Sequence, residues 1–379
     1  MRLTAPWLTA APTRAVMAAL GGEALFVGGA VRNSLLGAPV SDIDLATPLL
    51  PEEVIARAEA AGLKAVPTGI DHGTVTLIAD HQAFEVTTYR ADVETDGRRA
   101  LVRFSGDIAE DARRRDFTIN ALYATADGTL VDPHGGLTDL TQRRVRFILD
   151  AETRIREDAL RILRFFRFTA WYGAEIDAEG LAASAASAAL VETLARERIG
   201  AEMRKLLAAP DPAPATASMA ASGVLARVLR GAEVRALGPL VAAEAAAGAP
   251  PDWRTRLCAL GGEGAVARLR LSKAEARALE DIRRAQDLSP AIGAAEWGAD
   301  AAQAAALIRA SLMPEPWPPI AAEIARGAAA RFPLTAQDLI AAGWTPGPAL
   351  GDALATAREA WLQSDLALTR EALLARLRA

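Results

Sequence analysis

The sequence predicts an α+β fold, with a mixed region of strands and helices followed by a long all-helical one. Three observations carry this. From Leu25 to about Phe147, short β-rich runs alternate with stretches of helical spacing and are separated by Gly, Pro and Asp. From about Asp150 onward the strand signals fade. The rest of the 379 residues is rich in Ala, Leu and Arg, with Leu and Val recurring at helical spacing and Pro and Gly as punctuation.

Residues 1–23 read as an amphipathic lead-in helix. Leu25–Val27 is a short apolar strand that runs into Gly28-Gly29, where the backbone is free to turn and to approach a ligand closely. Residues 30–36 have helical spacing, and Gly37 is a natural cap. Backbone amides at such a helix start suit phosphate oxygens. The next strand carries Asp42 and Asp44. Two residues apart on a strand, they share a face with Cα atoms about 6–7 Å apart, a spacing at which two carboxylates hold hard divalent cations. Residues 51–62 form a helix that opens on Pro51 and closes on Gly62. Residues 74–79 and 84–89 are β-rich and joined by a short turn, an antiparallel hairpin that places Glu85 on a strand. Residues 92–111 are polar and contain glycine, and read as a loop. Residues 117–123 are an apolar piece of helix or strand. Breaks in the helical part fall at residues 210–214, 248–252 and 312–319.

The formal net charge is −5, so no global field draws the chain to nucleic acid, and an RNA site must be a local basic patch. The segment 140–167 is such a patch, with eight arginines against four acids. Cys258 is the single cysteine, which excludes an internal disulfide and a cysteine-based zinc site. The first 20 residues hold no continuous apolar core of a signal peptide, and no run approaches a membrane span. A soluble cytoplasmic protein with no membrane partner is the expectation, and the oligomeric state stays open.

Alone, Gly-Gly before a helix is common, and an acidic pair such as Asp-Ile-Asp is usually a solvated turn. Together, at this spacing, they point to nucleotide chemistry. A further stretch, residues 156–168, brings Asp158, Arg161, Arg164 and Arg167 at every third position of an apolar, helical segment. Guanidinium groups on so apolar a helix need partners. The plain reading is a structural ladder of ion pairs, Asp158–Arg161 above all. The functional reading is base recognition. A carboxylate accepts and a guanidinium donates. Cytosine and adenine show an amino donor beside a ring-nitrogen acceptor, whereas uracil and guanine show the reverse. A fixed Asp158–Arg161 pair therefore accepts C and A and rejects U and G, since each mismatched buried group costs about 1–3 kcal/mol.

These segments together resemble the signature of the class II tRNA nucleotidyltransferase and poly(A) polymerase family, within the DNA polymerase beta superfamily. The matching stretches are GGAVRN and DID at residues 28–33 and 42–44, RRRDFTINAL at 113–122, DPHGGLTDL at 132–140, REDALRILRFFRF at 156–168 and ARERIGAEMRKLL at 195–207. One departure is Asn33, where the family usually has Asp. The resemblance is strong over residues 25–207 and fainter to the end. It implies a nucleotidyltransferase head with a mixed or antiparallel sheet over residues 1–147. Helical neck, body and tail domains would follow over 148–210, 211–295 and 296–379. It further implies that Asp42 and Asp44 are catalytic and bind two Mg²⁺ ions, and that Gly28, Gly29, Arg32 and Arg115 hold the nucleotide. Asp158 and Arg161 would read the base, and Arg164 and Arg167 would hold the base, phosphates or primer end. Asp116 and Asn120 would shape and support the ribose pocket, with Glu85 a third carboxylate. Arg196, Glu197 and Arg198 would brace the neck. Arg268, Arg270, Lys273 and Arg277, with Arg283 and Arg284 beyond them, are candidates for RNA contact; such runs are usually solvated faces.

The implied activity is template-independent addition of the 3′-terminal CCA, or part of it, to tRNA from CTP and ATP. The alternative within the family is a poly(A) polymerase or A-adding enzyme that uses ATP alone. A catalytically silent RNA-binding protein on the same scaffold is a further reading, which intact Asp42, Asp44, Arg115 and Asp158 argue against. A dinucleotide-binding oxidoreductase is disfavoured because GGAVRN is not GxGxxG. The three histidines, His72, His81 and His134, all precede residue 135, so the helical part cannot carry a His-Asp phosphohydrolase site.

Overall fold

A computed structural model describes residues 2–95, 100–313 and 317–378, with the backbone alone for those of residues 91–102 it covers and for 317–318. The chain gathers into two compact units, Met1–Glu202 with Ala215–Val228, and Met203–Pro214 with Leu229–Ala379.

The first unit opens with helix α1 (Ala11–Ala19) and strand β1 (Leu25–Val27), then helix α2 (Gly29–Leu35), strand β2 (Ile43–Thr47) and helix α3 (Pro51–Ala60). Strands β3 (Lys64–Gly69), β4 (Thr74–Ala79) and β5 (Gln82–Thr88) follow, then β6 (Arg90–Thr95) and β7 (Ala100–Phe104), helix α4 (Ile108–Arg113), and the short strands β8 (Tyr123–Ala124) and β9 (Leu130–Val131). Helices α5 (Gly136–Thr141), α6 (Ala151–Glu157), α7 (Leu160–Tyr172), α8 (Ala178–Ala186) and α9 (Arg196–Leu207) complete the part that matters here. The order of the seven-stranded sheet is β3-β4-β5-β2-β1-β8-β9, and it is mixed. The pair β2–β5 is parallel, with Asp44 opposite Glu85, and β4–β5 is the expected antiparallel hairpin.

Two local expectations are corrected. Within the segment read as a loop over 92–111, β6 and β7 pair as an antiparallel hairpin that starts at Arg90↔Phe104, and α4 begins at Ile108. Charged residues at strand positions in RADVET and ALVRF hide the alternation that marks a strand. Residues 96–99 of that expectation lie outside the described residues. The apolar piece at 117–123 is divided between a 3₁₀ turn, Thr118–Asn120, and β8.

An aromatic cluster joins the sheet region to the helices that follow within this unit. Phe117 packs against Phe147 and Phe168 with ring centroids 4.9 and 5.3 Å apart, and Phe147 stacks on Phe165 at 5.5 Å. Leu160, Ile162, Leu163, Phe165, Phe166 and Phe168 of α7 are all buried. Backbone bonds run alongside, from the Thr118 amide to the Arg146 carbonyl at 3.0 Å and from Ile148 to Asp116 at 3.0 Å. The DPHGG segment folds as a capped turn. Asp132 accepts from the amides of Gly136 and Leu137 at 2.8 and 2.9 Å. Gly136 lies so close to this junction that a Cβ there would stand 2.2 Å from the Thr118 carbonyl oxygen, which only glycine permits.

In the second unit, as described, every named element is a helix. Leu240, Ile282, Leu307 and Ile308 pack with small Ala residues in one core, and Leu334, Leu339 and Trp361 anchor another. Arg256 is fully buried, bound to Glu244 at 2.7 Å and to the carbonyls of Leu207, Ala209 and Pro210. Among the described residues, no helix is long and apolar enough to cross a membrane.

Candidate active site

A polar cleft of about 520 Å³ lies within the first unit. Its walls bring together Gly28, Gly29, Arg32, Asp44, Arg115, Asp116, Asn120, Asp158, Arg161, Arg164 and Arg167, residues that the sequence marks as candidates. Its floor is built at the β1–α2 turn. Gly28 has φ +67°, a conformation that glycine adopts without strain, and its amide bonds to the Leu122 carbonyl at 3.0 Å. Close packing around it includes Arg115, whose Nη1 would lie 3.6 Å from a Cβ at residue 28.

Asp44 lies on β2 and half-buried, while Asp42 precedes the strand and is exposed, its carboxylate accepting from Ser41 at 2.8 Å. Burial, reinforced by the charges of Glu85 and Asp42, raises the Asp44 carboxyl above the ordinary carboxylate range, against the opposing pull of Arg115. An accumulation of negative charge at oxygen donors is the chemistry that a hard cation relieves, so the residues fit a divalent ion such as Mg²⁺. Glu85 is exposed on β5. Among the described residues no three His, Cys, Asp or Glu side chains converge into a ready-made metal cage, so substrate oxygens would have to supply further ligands.

The arginine-rich motif at 113–116 is fixed from beneath. Asp111 is fully buried and accepts from Arg114 at 2.8 Å, from Arg115 at 3.1 Å and from the Tyr123 hydroxyl at 2.7 Å. Arg115 is thereby aimed along the cleft, and its guanidinium pKa is raised; burial opposes this and the Asp111 charge outweighs it. Asp116 accepts from Asn120 at 2.8 Å, from the Phe117 amide at 2.9 Å and from Arg164 at 2.5 Å. Burial alone would raise its pKa, but Arg164 and these donors hold the carboxyl down at about 2.

The helix expected over 156–168 is broken at Asp158. This residue is extended, with φ −152° and ψ 106°, and separates α6 from α7. Its Oδ1 accepts from the Leu160 amide at 3.0 Å and so starts α7. Asp158 and Arg161 line one cleft, but the ladder pair expected between them is replaced by two others. Oδ2 of Asp158 accepts from Arg198 at 2.7 Å. Arg161 donates to Glu157 and, at 2.8 and 3.0 Å, to the carbonyls of Arg154 and Arg114. The reason is local: an aspartate that caps a helix turns its carboxylate back to the backbone, which frees the arginine one turn on for the glutamate at its i−4 position. Arg167 lies 2.8 Å from Glu202 on α9. The face of Phe168 is shared by Arg32, Arg164 and Arg167, whose guanidinium carbons lie 5.3, 5.2 and 4.2 Å from the ring centroid.

Sequence reasoning missed Leu160, Phe168 and Arg198, which line the cleft together with Arg114. The family resemblance implies for Arg198 only a bracing of the neck. The signal for its place was the spacing of α9, where Arg198 and Glu202 share one face and reach the two ends of the arginine row. Arg268, Arg270, Lys273 and Arg277 are in the second unit, at and after the helix Ala265–Arg268; all but the half-buried Arg268 are exposed.

Residues 24–146 match the family described as the poly A polymerase head domain, and residues 173–234 match a probable RNA- and SrmB-binding site of polymerase A. A CCA-adding enzyme from Leuconostoc citreum is 47% identical over 189 residues, 49% of this chain and 46% of its own length. The crystal structure of the Bacillus stearothermophilus CCA-adding enzyme in complex with CTP superposes with a TM-score of 0.73 at 27% identity, covering 98% of both chains. Residues 24–146 thus belong to the poly A polymerase head-domain family, and the chain as a whole has the fold of a CCA-adding enzyme. The mitochondrial CCA tRNA nucleotidyltransferase 1 of Danio rerio is also similar, 44% identical over 49% of this chain and 44% of its own length. The chain thus spans about half the length of the curated relatives it matches. A Thermotoga maritima CCA-adding enzyme complexed with tRNA shares the fold, with a TM-score of 0.69 at 19% identity over 99% of this chain and 96% of that one. The head-domain match contains the Gly28–Asp44 floor and the Arg115–Asp116 wall, the wall on α7 falls between the two matched segments, and Arg198 lies in the second.

Proposed function

We propose that this chain is a template-independent tRNA nucleotidyltransferase. It extends the tRNA 3′ end with CCA, or part of it, from CTP and ATP, and releases pyrophosphate. The observation that carries this reading is the joining of two chemistries in one cleft, acidic Asp44 beside Gly28-Gly29 and the polar pair Asp158 and Arg161 more than a hundred residues downstream. Similarity to CCA-adding enzymes supports the choice of substrate.

In this reading Gly28, Gly29 and Arg32 hold the triphosphate and Arg115 lies along it. Asp42 and Asp44 hold two Mg²⁺ ions, which when bound lower the pKa of the RNA 3′-hydroxyl and stabilise the departing pyrophosphate. Asp158 accepts from the exocyclic amino group of C or A, and Arg161 donates to the ring nitrogen beside it. Glu157 steadies Arg161 and Arg198 steadies Asp158, so each of the two is fixed independently. Asp116, supported by Asn120, shapes the ribose pocket, and Arg164 and Arg167 close the cleft around base and primer end. Residues 1–147 act as head and 148–210 as neck, the helical body (211–295) presents Arg268, Arg270, Lys273 and Arg277 to the RNA, and the helical tail (296–379) adds further contact with tRNA.

The test offers the purified protein a tRNA lacking its 3′ end with labelled CTP, ATP, UTP or GTP. Incorporation of C and A in limited number is expected. ATP-only growth without length control would point to poly(A) synthesis, and no incorporation would defeat the reading. Asp42→Ala is expected to abolish incorporation while tRNA binding persists.

A further inference from the structure

Arg32 stands apart from the other arginines of the cleft. The remaining six each have a carboxylate partner: Asp111 for Arg114 and Arg115, Glu157 for Arg161, Asp116 for Arg164, Glu202 for Arg167 and Asp158 for Arg198. The hydrogen-bond partners of Arg32 are neutral. Its Nε and Nη2 donate to Asn33 Oδ1 at 3.1 and 2.9 Å, Nη2 also donates to the Tyr172 hydroxyl at 2.8 Å, and Nη1 donates to Asn120 Oδ1. The Tyr172 ring lies under the guanidinium, 4.1 Å from its carbon to the ring centroid. Arg32 is only 6% exposed. A buried cation needs compensation, and a carboxylate is the usual source. Asp116 acts on Arg32 only from a distance, through Asn120; the direct contacts are side-chain carbonyl and hydroxyl oxygens and the rings of Tyr172 and Phe168. Of these groups, Tyr172 alone contributes both a hydrogen bond and a ring face.

We propose that Tyr172 is a positioning residue for the nucleotide site: it anchors Arg32 from the last position of α7, where no carboxylate is bonded to the guanidinium. Asn33 keeps the acceptor oxygen that orients the guanidinium but adds no charge, and its own amide is tied to the Pro39 carbonyl at 2.9 Å. Tyr172 adds a hydroxyl acceptor and a ring face to the hold that Asn33 and Asn120 give. One helix then sets both ends of the nucleotide, with Arg161 near its start toward the base and Tyr172 at its end behind the phosphates. This inference rests on the reading of Arg32 as a triphosphate ligand.

The experiment compares Tyr172→Phe, Tyr172→Leu, Tyr172→Leu with Asn33→Asp, and Arg32→Ala in the full chain. It measures KM and kcat for CTP and ATP on tRNA lacking its 3′ end, and CTP binding by calorimetry without RNA. Tyr172→Leu is expected to raise KM and the CTP Kd roughly tenfold with kcat within about threefold of the parent, and Tyr172→Phe to raise them by less. Adding Asn33→Asp is expected to restore most of the lost affinity, because a carboxylate takes over the anchoring; a merely structural loss at residue 172 would not be repaired there. Unchanged KM and Kd in Tyr172→Leu, or no recovery on adding Asn33→Asp to a folded Tyr172→Leu protein, overturns the proposal. If Tyr172→Leu fails to fold, an unchanged KM and Kd in Tyr172→Phe overturns it alone. Arg32→Ala separates the two levels: normal CTP binding there defeats the reading of Arg32 itself, whereas lost binding with normal Tyr172 variants defeats only the anchoring.

Discussion

At Asp44, burial and two neighbouring carboxylates act in the same direction, and both disfavour its charge. A carboxyl whose pKa is raised on folding destabilises the native state when ionised, and that penalty is absent at low pH and appears as pH rises through the folded pKa. Asp44→Asn removes the charge and the repulsion together. The expected outcome is a melting temperature at pH 7 equal to or above the parent's, with nucleotide incorporation reduced by at least about a hundredfold. Thermal unfolding and incorporation measured on one preparation check both parts. Asp116 is the opposite case. Its carboxyl is held down at about 2 by Arg164 and its other donors. Its stabilising contribution is therefore complete above the ordinary carboxylate range and fades as pH falls from about 4 to about 2. Asp116→Asn leaves the guanidinium of Arg164 without its counter-charge. It should cost on the order of 3 kcal/mol at pH 7 and lose the parent's dependence between those pH values, which urea titrations at several pH values will show.

At the scale of elements, the decisive contact is between the 3₁₀ turn that follows Asp116 and helix α7. Phe117 is fully buried where the rings of Phe147, Phe165 and Phe168 meet. Phe117→Ala is expected to destabilise the protein by about 3–5 kcal/mol in chemical denaturation, and to impair incorporation beyond the loss of folded protein, since Arg115 and Asp116 directly precede it. Much of this level was legible. The strand with Asp44, the β4–β5 hairpin and the apolar face of α7 all follow from residue spacing. The break at Asp158 was not, because a run of apolar residues with charges at every third position continues smoothly across it. What interrupts it is a competition that spacing does not report: the Asp158 carboxylate binds the Leu160 amide and starts a new helix. The β6–β7 hairpin was hidden for a related reason, since backbone pairing imposes strand geometry on residues of mixed polarity.

For the molecule as a whole, composition and function pull apart. The chain carries a net charge of −5, yet seven arginines line a single cleft beside three aspartates. Part of that concentration was visible as the surplus of arginine over residues 140–167, but its pairing was not, because three of the five carboxylate partners, Asp111, Asp116 and Glu202, lie outside that segment. An RNA ligand drawn by such a local patch displaces counterions, so the logarithm of tRNA affinity should fall linearly with the logarithm of salt concentration. Filter binding between about 50 and 200 mM salt tests this, with thermal stability over the same range as the control; salt-independent binding would place the contact on apolar or neutral groups instead.

The pairing of arginines with carboxylates before any ligand arrives also bears on turnover. An anion entering the cleft does not meet six bare cations. It must compete with Asp111, Glu157, Asp116, Glu202 and Asp158 for them. In the proposed reaction this competition loosens the grip on a polyanion, and the resident carboxylates re-pair with the arginines once pyrophosphate leaves. For the proposed repeated addition to one RNA end, such a pocket resets itself between cycles.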